Sequence, residues 1–159
     1  MTKLLLSIHV VAAIVAIGPV TVAASAFPRA ARAALADPHD QGAAATLASL
    51  HRICRAYAAL GVLVPVFGLA TAASLGVLGD AWLLASIGLT VVAAGVLALR
   101  VLPAQRRVMT RAWGATAGLD APAARALTAP LAMTAGVFNL LWVAVTVLMI
   151  VRPGSTTGA

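Results

Sequence analysis

Four long apolar stretches set the main constraint on how this 159-residue chain can fold. Each is close to the roughly 20 residues that a helix needs to cross about 30 Å of hydrocarbon. We place the spans at 4–27, 53–78, 81–102 and 129–151. Only 9% of the residues are charged, against roughly 25% in a soluble domain. The sequence therefore predicts a single all-α domain over residues 1–159, a polytopic four-helix transmembrane bundle, and excludes soluble, disordered and nucleic-acid-binding proteins.

The basic residues are distributed unevenly between the connections. Nine of the eleven lie around the two long connections, which follow the first and third spans: Arg29, Arg32, Arg52, Arg55, Arg100, Arg106, Arg107, Arg111 and Arg125. The positive-inside rule then predicts cytoplasmic long connections, with both termini outside the inner (plasma) membrane. The net charge of +7 favours contact of these connections with anionic headgroups, and not with nucleic acid.

The first span also matches the layout of a secretory signal peptide. Lys3 precedes an apolar run, and Ala24-Ser25-Ala26 has the A-x-A form of a cleavage site. Cleavage would leave three spans and would place the remaining basic connections outside, against the positive-inside rule. We therefore expect the segment to remain a membrane helix.

The basic connections are rich in helix formers. A short helix is expected over residues 28–36, with Pro28 in its first turn and its end near Asp37-Pro38. Residues 43–50 are expected to form a helical lead-in to the second span. Asp120 is predicted to be the N-cap of a helix that begins at Ala121-Pro122.

Two patterns concern the packing of the spans. Val66-Phe67-Gly68-Leu69 is echoed by Val137-Phe138-Asn139-Leu140, which indicates either two tandem helical hairpin units or a chance match in an Ala/Val/Leu-rich sequence. The second pattern is a matched set of glycines. A hairpin that turns near Gly79 would bring Gly61 level with Gly95 and Gly68 level with Gly88, where small residues permit close helix approach.

The spans contain few polar side chains, and His9 is the one titratable group well inside them. It is expected either to form a hydrogen bond with a neighbouring helix or to act as a haem or metal ligand or as a proton-relay group. Met149 lies near the same outer face of the membrane as His9, and Trp142 lies about one helical turn deeper than His9. The predicted cofactor-binding residues are therefore His9, Trp142 and Met149, in a groove between the first and fourth spans. Asn139 is expected to bond the Val15 carbonyl that Pro19 leaves free. No metal-binding or catalytic residue is predicted.

Several segments resemble the bacterial four-span membrane family DUF2269, whose function is unknown. They are the residues 6–11 (LSIHVV), 30–32 (AAR), the P-x-x-R-R pattern over 103–107, and 148–153 (LMIVRP). His9 in the first of four helices is also similar, more distantly, to the copper-resistance-D-like and membrane protoporphyrinogen-oxidase-like families. The latter resemblance implies a b-type haem, although those families follow the histidine with Trp-Gly where this chain has Ile17-Gly18.

Three functional hypotheses follow. The favoured one is a non-catalytic accessory or scaffold protein without a cofactor, in a homo-oligomer or a larger membrane complex. The second is a b-type haem-binding redox or haem-handling protein that uses His9. The third is a small permease or channel. A polar path through the membrane could then be lined only by hydroxyl side chains, which are Thr21, Ser25, Thr71, Ser74, Ser86 and Thr90. The spans contain no Asp or Glu, which argues against a proton-coupled exchanger.

Overall fold

The computed structural model describes residues 2–154, and every regular element in that range is helical. The elements are α1 (Thr2–Ala36), α2 (Gln41–Leu60), α3 (Leu63–Leu75), α4 (Ala81–Val96), a π-helical segment (Leu97–Val101), α5 (Leu102–Trp113) and α6 (Ala121–Val151). Consecutive pieces continue one another, giving four helical segments that are long and apolar enough to cross a membrane. The predicted all-α four-helix bundle is confirmed.

The four segments are arranged as two antiparallel hairpins. In the first, α1 packs against α2 and α3, and in the second, α4 packs against α6. The hairpins meet where α1 contacts α6 and where α2 contacts α5. Although α3 and α4 are neighbours in sequence, they make little contact. The architecture thus consists of two helical hairpins in tandem.

This arrangement shows that the predicted glycine contact between the second and third spans is wrong. A Cβ atom built at Gly88 or Gly95 would have no heavy atom within 4 Å. A Cβ atom at Gly68 would meet α1, and one at Gly61 would meet the preceding turn of its own helix. Glycines at the same depth in two helices do not by themselves make those helices pack together. Here α3 packs against α1 and α4 packs against α6.

The helices extend well beyond the predicted spans. At about 1.5 Å per residue, the 35 residues of α1 cover about 50 Å, against about 30 Å of hydrocarbon. Residues 28–36 are therefore no separate helix, and α1 runs through Pro28 without a break. The missing hydrogen bond is tolerated because Pro28 and the turns after it are buried in the core. The predicted end is confirmed, since α1 stops at Ala36.

The helix starts in the basic connections are capped by aspartates. Asp120 Oδ1 accepts a 2.8 Å hydrogen bond from the backbone N–H of Ala123, which confirms the predicted N-cap. Asp40 does the same for α2, accepting from Ala43 at 3.0 Å. The expected helical lead-in at residues 43–50 is confirmed as part of α2.

Two prolines interrupt the second and third segments. Pro65 has no N–H for the carbonyl of Gly61, which instead accepts from Val64 at 3.1 Å, and the chain turns between α2 and α3. Before Pro103, the helix widens into the π-helical segment, in which the N–H of Leu102 reaches the carbonyl of Leu97. The wider turn gives room for the proline ring near the preceding carbonyls.

The hydrophobic core is concentrated at one end of the bundle. We call it the basic end, because connections 37–40 and 114–120 and the nine arginines of the long connections lie there. Its largest fully buried side chains include Phe27, Leu35, Leu47, Val101 and Phe138. Near the opposite end, at turn 76–80, a smaller cluster forms around Ala72, Trp82 and Leu83. The best-packed part of the molecule therefore carries most of its charge.

Candidate functional site

His9 lies in the interface between α1 and α3. Its side chain is 9% exposed, and Nδ1 is 2.9 Å from the carbonyl oxygen of Val64. A carbonyl can only accept, so Nδ1 carries the proton and donates. In the neutral ring this leaves Nε2 as the nitrogen with a lone pair. The partner lies on α3, whereas the sequence had indicated a groove between the first and fourth spans.

The contact between α1 and α6 includes a hydrogen bond between Ser25 and Asn139. Asn139 Nδ2 donates to Ser25 Oγ at 2.8 Å, so the two residues lie at the same level of an antiparallel pair. The predicted Val15 partner is wrong by ten residues, or about 15 Å along the helix. Asn139 does join the first and last membrane segments, as expected, but it does so nearer the basic end. Its Oδ1 atom is buried without a partner in residues 2–154.

This alignment separates the predicted cofactor-binding residues. Trp142 is three residues beyond Asn139 and therefore level with Val22, 13 residues or about 20 Å from His9 along α1. Its ring packs edge-on against Phe138 in the main core, with centroids 6.3 Å apart. Its Nε1 atom has no hydrogen-bond partner within residues 2–154. The structure does not bring His9 and Trp142 into one groove.

Met149 lies in the small cluster near turn 76–80. It packs against the buried group of Ala72, Trp82 and Leu83. Trp82 Nε1 donates to Asp80 at 2.9 Å, and the guanidinium of Arg152 stands 5.4 Å from the centre of the indole ring. This arrangement closes the end of the second hairpin by a cation–π contact. Met149 therefore belongs to the packing of α6 on α4 and the end of α3, whereas His9 lies in the interface between α1 and α3.

A buried polar cluster at the basic end was not predicted from the sequence. His51 Nδ1 and Gln105 Oε1 are 2.8 Å apart, and Gln105 Nε2 donates to Cys54 Sγ at 3.4 Å. Gln105 and Cys54 are fully buried, and His51 is 7% exposed. Because the amide nitrogen faces the thiol, Oε1 faces the ring, and His51 Nδ1 is the donor. The cluster connects α2 of the first hairpin to α5 of the second.

A signal for this cluster was present in the sequence. Gln105 occupies the same helix face as Val101, Met109 and Ala112, at the spacing of an apolar stripe. A glutamine on such a stripe needs a hydrogen-bond partner when it is buried. Its partner was not identifiable, because His51 is 54 residues away on another hairpin.

Two open grooves flank α5 at the basic end. The larger, which we call the α5–α6 groove, has a volume of 690 Å³, an apolar floor that includes Leu127, Pro130 and Leu131, and three arginines, Arg106, Arg107 and Arg111. The smaller, the α2–α5 groove, has a volume of 530 Å³ and is lined by residues that include His51, Arg52, Arg55 and Trp113.

The four aspartates of the chain do not occupy these grooves. Asp40 and Asp120 cap helices, Asp37 accepts from the backbone N–H of His39 at 2.9 Å, and Asp80 accepts from Trp82. Within residues 2–154, the arginines of both grooves thus form no ion pair with an aspartate. Positive charge without an internal counter-charge is typical of surfaces that contact anionic headgroups.

The hydroxyl groups of the spans are largely used within their own helices. Thr71, Ser86 and Thr90 donate to the carbonyl four residues earlier at 2.7–2.8 Å, and Thr21 and Ser74 donate to the carbonyl three residues earlier. This is the usual way for Ser and Thr to be satisfied in membrane helices. Their O–H groups are therefore not free to donate along a shared polar path.

The bundle, its apolar spans and its basic end define an all-α helical protein of multi-pass membrane type. No family model matches the chain, and no curated protein and no solved structure is significantly similar to it. Within residues 2–154, His, Cys, Asp and Glu side chains do not gather in groups of three that could hold a metal ion.

Proposed function

We propose that the chain is an accessory or scaffold protein of the inner (plasma) membrane that acts through its surfaces and without catalysis. The observation that carries this proposal is the uncovered apolar surface of the helices. In the most apolar 18-residue stretch of α1, of α2–α3 and of α6, only 17% of the residues are buried within the chain. The exposed apolar side chains among the others, such as Ile14, Leu140 and Ile150, are available to lipid and to membrane helices of other subunits.

The orientation belongs to the same proposal. The nine arginines of the basic end support a cytoplasmic location for it, with both termini outside. A cysteine at position 107, in a Cys54→Ala background, should then resist an impermeant thiol reagent in intact cells. A cysteine at Gly79, in the turn at the opposite end, is the matched control and should react. The reverse pattern of labelling would contradict this orientation.

A scaffold role is tested on the purified protein. In mild detergent it should be colourless and should run as an oligomer or together with another membrane protein. Chemical cross-linking in intact membranes should capture the same species. A monomer that cross-links to nothing in either preparation would contradict the scaffold proposal.

One observation favours the second candidate, a haem-binding protein. The hydrogen bond from His9 Nδ1 to Val64 fixes the ring and presents Nε2, as is usual for histidines that bind a metal. Met149 does not supply a second ligand from this chain, since the alignment with α1 places it about 9 Å from His9 along the helix. A Soret band that disappears in His9→Ala would support this candidate and contradict the first. Its absence in the wild-type protein would exclude haem.

A further inference from the structure

Three arginines are crowded on α5 without any acidic residue in the same helix. Arg106, Arg107 and Arg111 lie within six residues, and Arg107 and Arg111 are one helical turn apart. Like charges at this spacing destabilise a helix by a few tenths of a kcal/mol. Since the four aspartates are hydrogen-bonded elsewhere, an external anion bound here would relieve the repulsion.

The groove beside these arginines is built for an amphiphile. Its floor combines Leu35 from the end of α1 with Leu127, Pro130 and Leu131 from α6. The three arginines and these apolar side chains line one open depression of 690 Å³. A free inorganic anion would use the arginines alone, whereas a lipid would use both.

The depth of the groove also fits a lipid headgroup. Arg106 is four residues beyond the predicted end of the third span at Leu102, or about 6 Å, and Arg111 is about 14 Å beyond it. The headgroup layer begins at the hydrocarbon boundary and is roughly 5–8 Å deep. Arginine side chains can bend back toward it. Pro130 and Leu131 lie at the boundary itself, where the acyl chains begin.

We propose that the α5–α6 groove binds one anionic phospholipid. The arginines Arg106, Arg107 and Arg111 hold its phosphate, the glycerol backbone lies beside Leu127, and an acyl chain begins at Pro130 and Leu131. The inference rests on the proposed function in one respect, that the basic end lies at a membrane surface. A bound lipid would fasten the second hairpin to one leaflet at a defined place.

The first experiment compares two triple variants with the same loss of charge. Purified protein in mild detergent is titrated with phosphatidylglycerol or with phosphatidylcholine of the same acyl chains, and bound lipid is counted by native mass spectrometry. The wild type should retain one phosphatidylglycerol in preference to phosphatidylcholine. Arg106→Gln/Arg107→Gln/Arg111→Gln should bind it at least about tenfold more weakly. The control, Arg29→Gln/Arg100→Gln/Arg125→Gln, removes exposed arginines that line neither groove and should bind it as the wild type does.

A second variant removes space and leaves the charge unchanged. Thr110 is exposed and lines the groove, and its hydroxyl only bonds its own helix. Thr110→Trp should fill the groove and weaken phosphatidylglycerol binding by a similar factor. If the triple variant does not fold, this substitution carries the test. Inorganic phosphate at millimolar concentration should not displace the lipid.

Several outcomes would overturn the proposal. Equal losses in the two triple variants would show diffuse electrostatic binding. Displacement by inorganic phosphate would show a simple anion site, and equal binding of phosphatidylcholine would show no charge preference. If the groove does not bind lipid, the cysteine-labelling result and the cross-linking result that test the proposed function are not affected. Conversely, if the basic end faces outward, the proposed orientation is wrong, but lipid binding measured in detergent is not affected.

Discussion

The imidazole ring of His9 on α1 lies directly against Gly68 of α3. A Cβ atom at position 68 would stand 2.9 Å from Cε1 and 3.1 Å from Nδ1 of the ring. The absent side chain at Gly68 therefore makes the space in which His9 reaches the carbonyl of Val64, one turn earlier on the same helix. The hydrogen bond and the glycine together fix how α1 packs on α3.

Gly68→Ala should weaken this packing. The new methyl group forces the ring away from Val64 and removes a buried hydrogen bond, which is worth about 1 kcal/mol. Gly88→Ala is the matched control, because a Cβ atom there has no neighbour within 4 Å and alanine is the better helix former. In SDS titrations, Gly68→Ala should unfold more easily than Gly88→Ala by about 1–2 kcal/mol. Equal stability of the two variants would contradict the contact.

The buried pair of His51 and Gln105 should show strong energetic coupling. Gln105→Leu leaves the ring N–H of His51 without an acceptor and should lower the free energy of unfolding by about 1–3 kcal/mol. The double variant His51→Leu/Gln105→Leu should lose less than the sum of the two single variants. The exposed His39→Leu should change stability by less than about 0.5 kcal/mol. Strict additivity would show that the two side chains do not interact.

Gly118 allows the α5–α6 connection to dock on the end of α1. A Cβ atom at this position would collide with the backbone carbonyl of Ala36. The neighbouring N–H of Leu119 donates to the carbonyl of Leu35 at 2.8 Å and so satisfies one of the free carbonyls at the helix end.

Gly118→Ala should therefore cost more than about 1 kcal/mol of stability, since a backbone carbonyl cannot move aside as a side chain does. Gly79→Ala, in the turn at the opposite end, has free space around it and should be close to neutral. Thermal unfolding of the two variants in detergent gives the comparison. If Gly118→Ala is as stable as the wild type, the close contact between this connection and the end of α1 is contradicted.

The alignment of α1 with α6 can be tested by cross-linking. In a Cys54→Ala background, the pair Ser25→Cys and Asn139→Cys should be joined by a short bifunctional thiol reagent. The pair Val15→Cys and Asn139→Cys, displaced by about 15 Å, should not be joined. Preferential joining of the second pair would restore the cleft beside His9 that the sequence had predicted.

Local features of the chain were well predicted because their causes lie within a few residues. The existence of the four apolar segments, the end of α1 beside Asp37-Pro38 and the N-cap at Asp120 each depend on hydropathy or on a hydrogen bond to the next turn. The boundaries were less accurate. Apolar content marks where the hydrocarbon lies, whereas a helix such as α1 continues as long as packing supports it, even through Pro28.

The sequence alone determined that the chain is an all-α bundle of four apolar segments with nine of its ten arginines at one end. These properties follow from the cost of placing backbone polar groups and charges in hydrocarbon, which acts on each segment separately. Only the tertiary structure decided which helix faces meet. It paired His9 with α3, joined Asn139 to Ser25, and buried Gln105 between His51 and Cys54. In an apolar sequence many helix alignments are almost equally hydrophobic, so a few polar contacts and close approaches select one of them.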